Sequence, residues 1–229
     1  MGLAEGVILL ALLAAAGLAV VFGPSYLRRF RGELSRSEEL GGLARSLGLG
    51  FSRLDPAFPS NLATRFPFEL FSRGIEQRIE NVLSGTYRGR EVVAFDLWWV
   101  EQPGTDDDPK DRSARSEHFP GDTPYLRVSP EGAAAKLGHH AGVHDIELEW
   151  SDFNRAFQVV ASDPKFATEF LDPPMLAWLH DHGRAWTWEV QRGFLLAHAP
   201  RADTDTLVRM LDALVGARER LPRGILAAP

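Results

Sequence analysis

The chain of 229 residues contains no cysteine, so it can form neither a disulfide bond nor a thiolate. That absence fits a reducing compartment. Lysine is nearly absent too: it occurs only at positions 110, 136 and 165, and the other basic residues are arginines. Together with the many alanines and glycines, this bias is typical of a bacterial genome rich in G and C.

An excess of positive charge is also lacking. The formal net charge of −6 argues against a nucleic-acid partner, because such proteins usually carry a basic face. The chain has no Gly-x-Ser-x-Gly elbow and no glycine loop with the spacing of a phosphate or dinucleotide site. The sequence therefore predicts no catalytic residue and no cofactor. It favours a non-enzymatic role and leaves an enzyme open.

One long apolar run is present, from Val7 to Phe22, and it contains no charged residue. Its length approaches the roughly 20 residues that a membrane-spanning helix needs. Positive residues stay on the cytoplasmic side of a membrane, and three follow the run: Arg28, Arg29 and Arg31. We therefore predict that residues 1–31 are a single-pass anchor with a basic flank in the cell inner membrane, and that the rest faces the cytoplasm. A cleaved signal peptide is the alternative, although the start lacks Lys and Arg and no A-x-A site follows.

Residues 32–229 suit one soluble domain. Two hairpins are predicted, one from Ile79–Tyr87 into Arg90–Val100 and one from Trp186–Val190 into Phe194–His198. Because both faces of Arg90–Val100 are largely apolar, we expect a central strand covered on two sides. Residues 101–119 are polar and show no periodicity, which predicts a mobile loop. The phenylalanines of residues 66–71, FPFELF, are expected to pack under the sheet.

Helix signals lie at the start, in one insertion and at the end of this domain. Ser35 to Glu38 has the form of a capping box, so a helix is expected to begin there and to end before Gly48. Asp163 and Asp172 each precede a proline, which predicts two more helix starts. A last amphipathic helix is expected to begin near Asp203 or Thr204. The expected fold is α+β, an antiparallel sheet of hairpins backed by helices.

Three features together resemble a known group of proteins. They are ENVLSGTYRGREVVAFDL, then WSDFNRAFQVVASDPKFATEFLDPPMLAWL, then a tryptophan-rich hairpin with a last amphipathic helix. They resemble uncharacterised actinobacterial-type single-pass membrane proteins with a cytoplasmic domain, over roughly Leu40 to Pro222. The resemblance implies that architecture and carries over no activity or functional residue. A weaker similarity is to pleckstrin-homology-type binding domains, which lack the helical insertion of residues 164–182.

Two sets of side chains have the chemistry of ion ligands. Imidazoles and carboxylates could hold zinc or nickel at His139, His140, His144, Asp145, His180 and His182, but the first of these lie in a Gly/Ala-rich connection. Asp145, Glu147 and Glu149 alternate with apolar residues in a predicted half-buried strand, so they are expected to be its solvent face rather than a cation site. No metal ligand is therefore assigned.

Tryptophans supply the candidate binding residues. Trp98, Trp186 and Trp188 lie on the two predicted hairpins, and indole rings favour membrane and protein interfaces. Core packing is the competing interpretation, because large aromatic residues are mostly buried. An outward-facing set would mark a partner- or lipid-binding site, with Arg28, Arg29 and Arg31 resting on lipid headgroups.

The preferred interpretation is a membrane-anchored, non-enzymatic module that binds a protein or a lipid. Its partners would be membrane lipids through the anchor, with a protein partner or a second copy of the chain also open. The alternative is a membrane-associated hydrolase, which a pocket near Asp96 or near the acidic strand would favour. A structural subunit of a membrane complex is a third interpretation.

Overall fold

The computed structural model describes residues 32–54, 68–72, 76–100, 110–118, 122–132 and 142–226. They form an α+β fold with an antiparallel sheet and helices, as predicted. Within those ranges, no helix has the length and apolar character needed to cross a membrane. The predicted anchor, residues 1–31, lies outside the described residues and stays a prediction.

The strands are β1 Gly50–Ser52, β2 Glu76–Tyr87, β3 Arg90–Val100, β4 Lys110–His118, β5 Leu126–Pro130, β6 His144–Asp145, β7 Phe157–Ala161, β8 Thr187–Gln191 and β9 Phe194–Pro200. They form a single sheet in the order β1-β2-β3-β4-β9-β8-β5-β7-β6. The recorded strand pairs are antiparallel. Both predicted hairpins, β2–β3 and β8–β9, are confirmed.

The helices are α1 at residues 32–47, α2 Ser151–Ala156, α3 Pro164–Phe170, α4 Pro173–His182, α5 Thr204–Glu219 and α6 Arg223–Leu226. A short 3-10 helix spans Glu69–Ser72. Asp163, Asp172 and Asp203 each accept a backbone N–H bond at the start of a helix, so the three predicted starts are confirmed. The predicted start of α1 is wrong. Residues 32–34 are already helical, and Ser35 bonds Glu39 within the helix rather than capping it.

The sheet has two covered faces. On the helical face, residues of α1, α3, α4 and α5 pack on alternate strand residues such as Val92, Trp188 and Leu195. On the second face, Phe68, Leu70 and Phe71 pack on β3 at Phe95, Leu97 and Trp99. Strand β3 is therefore central and covered on both sides, as its two apolar faces predicted. The expectation that the FPFELF segment packs under the sheet holds for Phe68 and Phe71.

The prediction of a mobile loop over residues 101–119 is wrong for residues 110–118, which form a strand. Residues 101–109 and 119–121 lie outside the described residues. Strand β4 pairs with β3 on one side and with β9 on the other. Its sequence, KDRSARSEH, lacks the apolar alternation that normally reveals a strand. Backbone hydrogen bonds to two neighbouring strands stabilise β4 instead. Where the side chains of β4 are described, Ala114 is fully buried.

The predicted strand from Asp145 to Trp150 is also shorter than expected. Only His144 and Asp145 pair with β7, and the chain leaves the sheet after Ile146 donates its backbone N–H to Val159. Asn154 bonds both backbone groups of Leu148 through its side-chain amide, at 3.1 and 2.6 Å. That pair of bonds replaces the ladder hydrogen bonds that a longer strand would have formed.

Candidate functional site

Charged side chains lie on the second face of the sheet, where β5, β8 and β9 run side by side. Arg127, Glu189 and His198 occupy positions that alternate with residues of the helical face, so their side chains point to the opposite side. Arg127 is the direct cross-strand neighbour of Glu189. Tyr125 and, from the 3-10 helix, Glu69 complete a group of five. We call it the buried charge cluster.

Hydrogen bonds connect all five members. Arg127 donates Nη1–H to Oε2 of Glu69 at 2.7 Å, and the Tyr125 hydroxyl lies 3.3 Å from the same oxygen. The backbone N–H of Glu69 donates to Oε2 of Glu189 at 2.9 Å, and Oε1 of Glu189 lies 3.1 Å from Nε2 of His198. The cluster therefore binds the 3-10 helix to the sheet through its backbone as well as its side chain.

Burial sets the electrostatics of the cluster. Glu69, Arg127, Glu189 and His198 are between 1% and 4% exposed. Burial raises the pKa of Tyr125, and the charges of Glu189 and Glu69 raise it further, because each disfavours a phenolate. Tyr125 is thus held as a neutral donor. Charges this deeply buried must be paired to be tolerated, and the ion pair of Arg127 with Glu69 supplies that pairing.

Part of the Arg127 guanidinium is nonetheless unpaired. Within the described chain, its Nε and Nη2 atoms are buried and have no hydrogen-bond partner. The same is true of Ser129 Oγ, on the same face of β5, and of Gln158 Oε1, on the strand opposite. Native proteins leave few buried polar atoms unsatisfied, so a group of neighbouring ones needs a physical explanation.

Asp96, which the sequence offered as a possible catalytic acid, has a structural role. Arg36 of α1 binds both of its oxygens, with Nε at 2.7 Å and Nη2 at 2.9 Å, and donates Nη1–H to the Ala202 carbonyl at 2.7 Å. Asn81, which has a positive φ of 53°, donates to Asp96 at 3.1 Å. These bonds fasten α1 to the sheet and to the segment that precedes α5.

The acidic residues and histidines do not converge. Asp145, Glu147, Glu149 and His144 are exposed. In the described ranges, no group of three or more His, Asp or Glu residues is placed to hold a metal ion. His180 packs against Trp150 with the rings tilted by 30°, and His182 stacks on Trp178; the ring centroids are 4.9 and 5.3 Å apart. His139 and His140 lie outside the described residues.

The candidate tryptophans divide between core and surface. Trp186 and Trp188 are 7% and 3% exposed and pack edge to face with centroids 6.1 Å apart, so both lie in the core and not in an outward-facing set. Trp98 is half-buried, with the Arg78 guanidinium 5.0 Å above its ring. Its binding role stays a prediction, as do those of Arg28, Arg29 and Arg31, which lie outside the described residues.

An apolar cavity lies in the helical-face core, between β5, β8 and the helices α3 to α5. Leu126, Phe170, Met175, Trp188 and Ala217 are among the residues that line it. Its volume is about 10 Å³, which is about the space of one water molecule and far below that of an acyl chain. This cavity therefore cannot hold the hydrocarbon part of a lipid.

Sequence reasoning missed the buried charge cluster. One signal could have indicated it: Arg127 and Glu189 each stand between two apolar residues of a short strand. The structure buries those apolar residues. A charge in such a position is either the solvent face of the strand or a buried, paired residue. Glu69 carries no such signal, because its contact with Arg127 spans 58 residues of chain.

The fold and the cluster together define the class of molecule, an α+β domain with one antiparallel sheet and a buried ionic group beneath one face. No protein-family model matches the chain, and comparison with curated protein sequences finds no match. A solved structure does have a similar fold: the crystal structure of the mycobacterial trehalose monomycolate transport factor A, TtfA. The TM-score is 0.60 at 14% sequence identity, over 81% of this chain and 96% of that one. At this identity the likeness establishes the fold alone.

Proposed function

We propose that this protein is a non-enzymatic binding module that acts in lipid transport at the bacterial inner membrane. The observation that carries the proposal is the shared fold with TtfA, a trehalose monomycolate transport factor, 96% of whose chain is matched. A module of this kind agrees with a sequence that has no nucleophile motif and no cofactor loop. Fold alone does not imply function, so the proposal depends on a direct test.

The contacts of the described residues support binding rather than catalysis. Asp96 is paired with Arg36 and Asn81, and the carboxylates of the buried charge cluster are paired with Arg127 and His198. General acids and bases need contact with a substrate, whereas Glu69 and Glu189 are 4% and 1% exposed and Asp96 is 13% exposed and held by two partners. A hydrolase that used them would first have to expose them, at the energetic cost of separating paired charges.

The small size of the core cavity bears on how lipid would be handled. Among the described residues, the cavity between β5, β8 and the helices α3 to α5 has no room for an acyl chain. In our proposal the hydrocarbon stays in the bilayer, and the domain contacts the headgroup or a protein partner at its surface. Residues 1–31 would hold the domain at the membrane, with Arg28, Arg29 and Arg31 on the cytoplasmic side.

Trp98 is the aromatic candidate for that surface. It lies on the same face of β3 as Asp96, two residues further along. Asp96 binds Arg36, only five positions from the anchor segment. If residues 1–31 are the anchor, Trp98 would lie close to the point where the chain enters the membrane. The Arg78 guanidinium lies 5.0 Å above its ring. An indole beside a cation suits the headgroup region of a bilayer.

The test is affinity purification of the full-length protein from its native membrane in mild detergent, followed by mass spectrometry of lipids and proteins. We expect a stoichiometric lipid or protein with the wild type, and less of it with Trp98→Ala. Trp150→Ala is the matched control, because Trp150 is also half-buried and packs against α2 and α4. Recovery of the protein alone, or equal losses for both variants, would contradict the proposal. Release by an alkaline wash would contradict the anchor.

A further inference from the structure

Large apolar side chains are exposed at one edge of the sheet. Phe51 lies on the edge strand β1 and is 36% exposed, and Leu54, just after that strand, is 59% exposed. Within the described ranges, the other large apolar residues are buried or half-buried. The Phe51 ring lies against Gly41 of α1, where an added Cβ would be 3.3 Å from it, so α1 supports the ring at the surface. Exposed apolar side chains that lie close together favour contact with a membrane or with another molecule.

Positive charge surrounds these two side chains. Arg53 is exposed and stands between them in the sequence, and the Arg45 guanidinium lies 3.8 Å from the same Cβ position at Gly41. Glu38 is also exposed on this side of α1, three positions before Gly41. Two arginines against one glutamate leave a local excess of positive charge, although the whole chain carries a net charge of −6. An apolar surface with positive charge around it matches an anionic phospholipid surface.

The exposed edge lies beside the end of α1 that follows the predicted anchor. The Arg53 carbonyl accepts the backbone N–H of Asn81 at 2.9 Å, and the Ser37 hydroxyl donates to the Asn81 side chain at 2.7 Å. Ser37 is about 8 Å along the helix from the first residue of α1. Residues 23–31, which join the apolar run to α1, span at most about 32 Å. If residues 1–31 are the anchor, the β1 edge would therefore lie within reach of the membrane surface.

We propose that Phe51, Arg53 and Leu54, with Arg45 of α1, form a docking surface for the phospholipid bilayer; this inference rests on the proposed function at the inner membrane. Leu54 enters the leaflet, Phe51 lies at the interface, and the two arginines contact lipid phosphates. A second copy of the chain suits this surface poorly, because a stable dimer buries about 800 Å² per partner and two partly exposed side chains offer far less. A single anchor leaves the domain free to tilt, whereas this second contact fixes which side of the sheet faces the bilayer.

The experiment uses the absence of cysteine, because a single introduced cysteine can then carry a nitroxide label. Full-length Leu54→Cys is labelled, reconstituted in vesicles of phosphatidylethanolamine and phosphatidylglycerol, and studied by electron paramagnetic resonance. Oxygen concentrates in hydrocarbon and a nickel chelate stays in water, so the ratio of label collisions with the two reagents reports depth in the bilayer. Asp145→Cys is the matched control, since Asp145 is exposed in the opposite edge strand β6, eight strand spacings or about 40 Å away. We expect the ratio of oxygen to nickel collisions to be several-fold higher for the Leu54→Cys label.

Charge reversal tests the part played by the arginines. Arg53→Glu, combined with Leu54→Cys, should return the label towards water, because the exposed arginine side chain that contacts lipid phosphate is replaced by a like charge. Arg192→Glu, at the exposed turn between β8 and β9, is the control and should leave the ratio unchanged. An unchanged ratio with Arg53→Glu would overturn the inference.

Two further results would overturn the docking surface. One is an equal ratio for the Leu54→Cys and Asp145→Cys labels. The other is a Leu54→Cys label that loses collisions with both reagents, because that pattern marks protein contact with a second copy. If either result is found while a lipid or protein partner still copurifies from native membrane, the proposed function stands without the docking surface; if nothing copurifies, the proposed function itself fails.

Discussion

Arg36→Ala tests whether the pair with Asp96 fastens α1 to the sheet. The two side chains are 11% and 13% exposed and joined by two short bonds, with a third bond from Arg36 to Ala202. Breaking a buried pair costs about 3 to 5 kcal/mol, and slight exposure places this one near 3 kcal/mol. For a domain of this size, a loss of about 3 kcal/mol from the free energy of unfolding lowers the melting temperature by about 6 to 12 °C.

The assay is thermal unfolding of the full-length protein in detergent solution, followed by circular dichroism. Arg78→Ala is the matched control. Arg78 also pairs with a neighbouring carboxylate, Glu80, but its side chain is 48% exposed, so its loss should cost about 1 kcal/mol or less. The double variant R36A/D96A should be less destabilised than the sum of the single variants, by about 1 to 3 kcal/mol, because the charge left unpaired is removed too. Equal effects of R36A and R78A, or strict additivity, would refute the reasoning.

The packing and the pKa shifts predict four further outcomes. Gly216→Ala places a Cβ 2.9 Å from the Trp178 ring and should lower the melting temperature, since overpacking of about 1 to 3 kcal/mol outweighs a helix-propensity gain of about 1 kcal/mol. In Gly42→Ala the added Cβ meets only a flexible side-chain tip 3.9 Å away, so this change should raise the melting temperature. A melting temperature that rises with Gly216→Ala and falls with Gly42→Ala would contradict both predictions. Asp203→Ala should destabilise the protein at neutral pH. The difference in stability from the wild type should shrink as pH falls through the lowered pKa of the Asp203 carboxyl, because the protonated cap no longer favours the folded state. A difference in stability that persists in acid would contradict this. Tyr125 should stay protonated in the folded protein above about pH 10, and the stability that its raised pKa contributes should be lost as pH rises further. A phenolate absorbance change that precedes unfolding and disappears in Tyr125→Phe would contradict this.

Local signals in the chain were sufficient for most helices and for both hairpins. The Asp-Pro pairs at residues 163 and 172 predicted helix starts because capping and a fixed proline φ depend on adjacent residues only. The alternation in Arg90–Val100 predicted a strand covered on both faces for the same reason. Strand β4 could not be predicted in this way, since its pairing partners β3 and β9 supply the stabilising bonds and its own side chains carry no periodic pattern.

The candidate site was beyond sequence reasoning. Period-two alternation placed Trp188 and Glu189 on opposite faces of one strand but could not say which face was covered. The structure covers both: Trp188 packs among the helices, and Glu189 accepts a backbone hydrogen bond from Glu69, which is 120 positions away. The sequence could not identify the partner of Asp96 for the same reason, because Arg36 is 60 positions away along the chain.

The sequence by itself determined the class of fold, the absence of disulfide and thiolate chemistry and the expectation of an anchor, because composition and short-range periodicity are properties of neighbouring residues. Only the tertiary structure decided which charged residues are buried, which are paired, and which polar atoms of Arg127 and Ser129 are left without a partner. The physical reason is distance along the chain. Desolvation and ion pairing depend on residues that come into contact only when the sheet has assembled.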